Sequence, residues 1–115
     1  MKFLMFVVLD PDHTEADAAA APPVEGWFAM VKATGAYRGA IRLHGTDQAT
    51  TVRVRGGKLL VTDGPFAETK ESIAGVAILE CADLAEAIEI ASKNHMAYEG
   101  RLELRPIHSM GGPDD

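Results

Sequence analysis

Two stretches of this chain, FLMFVVL (Phe3 to Leu9) and IAGVAIL (Ile73 to Leu79), are apolar without interruption. Each is long enough for a strand and too short for a buried helix. A sheet with one wet face alternates apolar and polar residues along each strand, and these two runs do not. Both faces of these strands are therefore built for burial. The helices available elsewhere cover one face only, so the other face needs a partner, and an identical chain is the simplest one. The expectation is a homodimer packed sheet to sheet.

The rest of the pattern fits around that pair. VEGWFAMVKATG places Val24, Trp27, Phe28 and Val31 at helical spacing, with Gly35 positioned to stop the helix. DPDHTEADAAAAPP mixes turn residues with alanines. Thr14 suits the cap of a short helical turn that Pro22 and Pro23 must end. AIRLHG, Ala40 to Gly45, reads as a strand running into a loop. DLAEAIEIASKN is a helix opened by Asp83, with Glu86 three residues on and Leu84, Ala87, Ile88 and Ala91 on one face. RLELRPI alternates and closes the fold. The order β-α-β-β-β-β-α-β is that of an α+β, ferredoxin-like unit with an added hairpin. One domain over residues 1–108, with a tail at 109–115, accounts for the whole length.

That hairpin is TTVRVRGGKLLVTD, two alternating runs flanking Gly56-Gly57. With the glycines as the loop, Arg55 pairs with Lys58, Arg53 with Leu60, Thr51 with Thr62 and Thr50 with Asp63. Arg53, Arg55, Lys58 and Thr62 then share one face. Val52, Val54, Leu59, Val61 and Asp63 share the other, so Asp63 ends an apolar row. Two residues on stands Pro65, which lacks the N–H that an Asp in a turn ordinarily accepts. That leaves Asp63 to the Phe66 N–H, to Lys70, to solvent or to a ligand. A carboxylate so placed is a candidate acid or base. His44 enters the loop leading to Thr50, the expected neighbour of Asp63, and is the candidate partner for an acid–base pair. Gly64 and Pro65 shape the turn, Phe66 and Trp27 are candidate apolar walls, and Glu68 and Lys70 share a side that can close over a pocket.

Composition excludes several other functions. A net charge of −6 with only a small Arg53–Arg55 stripe argues against nucleic acid. No run approaches the ~18 apolar residues of a membrane span. The apolar part of MKFLMFVVLD is short for a signal peptide and is followed at once by Asp10 and Asp12, so a cytoplasmic protein is expected. The single cysteine, Cys81, follows an apolar run and reads as a buried, unreactive thiol. DPDH at Asp10 to His13 has metal-binding ingredients without recognisable ligand spacing. There is no phosphate-binding glycine loop, GxSxG, HExxH or cysteine pair, and neither a cofactor nor a metal is expected.

The block VRVRGGKLLVTDGPFAETKESIAG resembles the signature of the DGPF-domain proteins, a branch of the YCII-related family. The resemblance runs through the second helix to LELRP and covers Tyr37 to Ile107, with the N-terminal strand fitting more loosely. It implies a ferredoxin-like fold that dimerises through its sheets, a dimeric α+β barrel. In the YCII branch it implies a His–Asp pair in a cleft, with the histidine on the first helix. That helix carries Trp27 and Phe28 here, and His44 is not an equivalent replacement. DGPF proteins are also associated with extracytoplasmic-function sigma factors, which implies a regulatory partner.

Three readings follow. In the first, the chain is a dimeric small-molecule-binding protein or cryptic enzyme whose cleft lies beside the DGPF loop, with Asp63 projecting into it. The second makes it an accessory partner of a sigma factor, with residues 68–71 facing outward. In the third, the DGPF block is a purely structural corner of the dimer.

Overall fold

The computed structural model describes residues 1–64 and 72–108. The expected tail at 109–115 lies outside the described residues. The elements, in order, are β1 (Lys2–Leu9), α1 (Glu15–Ala20), α2 (Val24–Ala33), β2 (Tyr37–Arg42), a 3-10 turn (Thr46–Gln48), β3 (Thr50–Arg55), β4 (Lys58–Asp63), β5 (Ser72–Glu80), α3 (Leu84–Ser92), α4 (Met96–Glu99) and β6 (Gly100–Pro106). The expected order is present, with α1, the 3-10 turn and α4 added to it. No helix among the described residues is long and apolar enough to cross a membrane.

The two uninterrupted apolar runs become the central strands. β1 pairs antiparallel with β5 on one side and β6 on the other, and the four-stranded order is β2-β5-β1-β6. With the hairpin set aside, this is the βαββαβ arrangement. Phe3, Met5, Ala77 and Leu79 point to the face that carries α2 and α3, where they are buried with Trp27, Val31, Ala87, Ile90 and Ala91. The opposite parity, Leu4, Phe6, Val8, Val76 and Ile78, is only half-buried. At the β6 edge, Arg105 lies over the Phe6 ring at 5.3 Å and pairs with Glu103 at 2.7 Å. This face is apolar in the middle, charged at the edge, and carries no helix among the described residues.

The hairpin register is the one read from its turn, with Thr50 opposite Asp63 and Arg55 opposite Lys58. Gly56 and Gly57 have φ of 57° and 75°, the left-handed pair that a two-residue turn matched to strand twist requires. β3 and β4 form a sheet of their own, separate from the main one. Val52, Val54, Leu59 and Val61 are between 57% and 67% exposed. A lone two-stranded hairpin is marginal in water. The radius of gyration, 16.5 Å, also exceeds the ~13 Å of a compact chain this long. The hairpin is an arm with an uncovered apolar side.

Local chemistry explains the helix starts. Thr14 and Asp17 form a reciprocal capping box on α1, and these hydrogen bonds hold the Asp17 carboxyl below its usual 3.8. Asp83 Oδ1 accepts the Glu86 N–H at 2.9 Å to open α3. The buried stripe of α3 is rotated from the one expected. Ala87, Ile90 and Ala91 face the core, while Leu84 and Ile88 are exposed. Apolar residues at 84, 85, 87, 88, 90 and 91 permit either face, and the indole of Trp27 docks on the Ile90 side, donating to its carbonyl at 2.8 Å.

Cys81 is buried, and desolvation pushes its thiol above the ordinary value. A disulfide-exchange reagent should therefore modify the folded protein slowly and the urea-unfolded chain at the rate of a free thiol. Fast labelling without unfolding would contradict the burial. Gly75 is held by space: a methyl there would meet the Ile41 carbonyl oxygen at 2.6 Å, where β2 crosses β5. Gly26, in α2, has nothing within 4 Å of that position. Gly75→Ala should cost about 1–3 kcal/mol in urea unfolding, while Gly26→Ala should gain about 0.5–1 kcal/mol.

Candidate functional site

The helices do not cover their face of the sheet completely. Between α2, β2 and the turn from α3 into α4 lies a cavity of about 670 Å³, within the range of small-molecule sites. β1 supplies Met5, Val7 and Leu9 as its floor, and α2 supplies Val24, Trp27 and Phe28 as a wall. Tyr37 joins that wall from β2, Ala40 and Arg42 of β2 form the opposite side, and Asn94, His95 and Met96 close one end.

The aromatic wall is fixed in place. The Trp27 and Phe28 rings meet edge to face at 5.2 Å, and Phe28 meets Tyr37 at 6.1 Å in the same manner. Lys32 Nζ sits over the Phe28 and Tyr37 rings at 5.9 and 5.6 Å. The Trp27 bond to Ile90 ties this wall to α3.

The polar groups are few. Asn94 is only 6% exposed, and its Oδ1 accepts the Met96 N–H at 2.8 Å. That bond fixes the corner where α3 passes into α4. The next residue, His95, has a buried Nδ1 without a hydrogen-bond partner. Arg42 makes no hydrogen bond or ion pair among the described residues. The described lining includes no carboxylate, thiol or hydroxyl of serine or threonine. Its chemistry is that of a binding cavity with one buried imidazole nitrogen and one guanidinium.

Of the residues singled out in the sequence, Trp27 lines this cavity. Asp63 closes β4 at an exposed position, on the apolar side of the hairpin as the register requires. His44 is exposed in the loop after β2. Among the described residues no hydrogen bond or ion pair joins His44 to Asp63, and neither lines the cavity. Gly64 ties the hairpin base instead: its N–H donates to Ala49 at 2.8 Å and its carbonyl accepts from the Thr51 hydroxyl at 2.7 Å. Pro65, Phe66, Glu68 and Lys70 lie outside the described residues. Ala74 and Gly75 of β5 also line the cavity.

The DPDH stretch satisfies itself. Asp10 Oδ1 accepts the Asp12 N–H at 2.9 Å, and His13 Nδ1 lies 2.8 Å from the Asp10 carbonyl oxygen. Among the described residues no group of three His, Cys, Asp or Glu side chains is arranged to hold a metal ion. Asn94 is what the sequence reading passed over. The signal was present, because Asn94 continues the Ala87, Ala91 stripe at helical spacing and sets a polar side chain on a core face.

Comparison with known proteins places this geometry in a family. The YCII-related domain matches residues 1–111. An uncharacterized protein of Rhizobium meliloti (strain 1021) is 43% identical over 68 residues, covering 57% of this chain and 55% of that protein. The chain thus spans about half the length of the curated relative it matches. The chain belongs to the YCII-related domain family.

Proposed function

We propose that this chain is a small-molecule-binding protein that works as a homodimer. The cavity of about 670 Å³, walled by Trp27, Phe28 and Tyr37 and nearly free of charge, is the observation that carries this reading. Its size suits a ligand of one to three rings, and its rings offer area at little entropic cost. Dimerisation is supported by the two uncovered apolar surfaces, the helix-free face of the sheet and the outer side of the hairpin. Burial of each valine or leucine side chain on those surfaces contributes on the order of 1.5–3 kcal/mol before the cost of association. A second copy seated there completes a sandwich of two sheets, the dimeric α+β barrel.

Ala40 lies opposite the aromatic wall on exposed edge-strand surface, so enlarging it fills the cavity without disturbing the core. N-phenyl-1-naphthylamine, a neutral apolar fluorophore, should bind saturably at one site per chain. Ala40→Trp should weaken that binding at least tenfold with little change in melting temperature. Equal binding by both proteins would place the probe elsewhere and remove the support for the cavity. In sedimentation equilibrium the wild type should have the mass of two chains, and Ile78→Glu, on the helix-free face, that of one. A wild type that stays monomeric throughout the micromolar range would contradict the assembly.

A further inference from the structure

We infer that the ligand of this cavity is a flat, mostly apolar molecule carrying one acidic group, which Arg42 and His95 receive. The inference rests on the binding reading above and names the class of ligand. Three observations carry it.

The first is the unused nitrogen. His95 Nδ1 is buried and has no partner. A buried polar atom without a hydrogen bond is unfavourable, and few such atoms persist without a reason. His95 lines the cavity, and a turn of its ring brings this nitrogen to a ligand oxygen there, which supplies the missing bond. In the tautomer that carries the proton on Nδ1, the imidazole donates to that oxygen.

The second is the sign of the charge. The whole chain has 17 acidic residues against 11 basic ones, yet none of the described acidic residues lines the cavity. The only formally charged side chain in the described lining is Arg42, and it has no anionic partner among the described residues. The amide of Asn94 adds a donor, since its oxygen is already used by the Met96 N–H. A described lining of donors without a carboxylate, inside a protein of net negative charge, is complementary to an anion. A guanidinium meets a carboxylate with two parallel hydrogen bonds, and its geometry suits a planar acid.

The third is shape. Edge-to-face rings of Trp27, Phe28 and Tyr37 leave their remaining surface to a flat apolar body. The acidic group then lies toward Arg42 and His95, and the ring system against α2.

A matched pair of probes tests this: 2-naphthoate, which is anionic, and 2-naphthamide, its neutral counterpart, titrated calorimetrically into the full chain. Wild-type protein should bind 2-naphthoate about tenfold tighter or more. Arg42→Gln and His95→Phe should each remove about tenfold of the naphthoate affinity and leave the naphthamide affinity within twofold. His95→Gln, which keeps a side-chain donor, should recover part of the loss and serves also if the phenylalanine variant folds poorly. Equal wild-type affinity for the two probes, both lost in Ala40→Trp, would overturn the acid-binding inference and leave the binding reading in place. A naphthoate preference unchanged by the Arg42 and His95 variants would overturn it as well. Binding of neither probe, nor of N-phenyl-1-naphthylamine, would remove the binding reading and this inference together.

Discussion

The pairing of β1 with β5 is the contact on which the rest of the structure depends. Two runs of apolar residues lie side by side in register from Lys2 opposite Glu80 to Val7 opposite Gly75. That union creates one sheet with two apolar faces. α2 and α3 close one of them through Phe3, Met5, Leu79, Trp27 and Val31, and no helix among the described residues covers the other. Each later feature follows from this imbalance. The core sits entirely on the helix side, and the unpaired face ends at a charged edge where Arg105 covers Phe6. The hairpin extends from the body with its valines exposed. These exposed apolar surfaces are what the proposed second copy would cover.

The same imbalance makes room for the cavity. α2 is ten residues long and is anchored at its Trp27 end to α3. It covers the middle of its face and leaves Val7, Leu9 and the β2 side open beneath it. α4 is a single turn, and it follows directly on the corner that brings His95 to the edge of that opening. The proposed binding site needs no special loop. It arises where short helices meet a sheet wider than they are, and the specificity inferred for it rests on two polar side chains at the margin.

How far the sequence could be read depended on the range of the interactions. Strand periodicity and turn chemistry are local, so the hairpin register followed from Gly56-Gly57 and the sheet from the two apolar runs. Caps were legible for the same reason: Thr14 and Asp83 each bond a backbone N–H three residues away. The face of α3 was not, because its apolar residues satisfy helical spacing in two ways. Only the distant Trp27, 63 residues away along the chain from its Ile90 acceptor, distinguishes them. Among the described residues Asp63 and His44 are not joined, for a related reason. Alternation placed Asp63 on the apolar side of the hairpin, where the valines beside it are exposed. Trp27 was identified through its helical stripe, whereas His95 gained significance only once the α3 to α4 corner folded back over β1.

The dependence of the arm on a second copy is open to direct measurement by amide hydrogen exchange at β3 and β4 across protein concentration. If a second chain covers the hairpin, the cross-strand amides of Arg53, Arg55, Leu60 and Thr62 should be protected at high concentration. That protection should fall steeply on dilution, while β1 and β5 lose less. Fast exchange of these amides at every concentration would show that the hairpin stands uncovered, and would contradict the view of this chain as half of a two-sheet assembly.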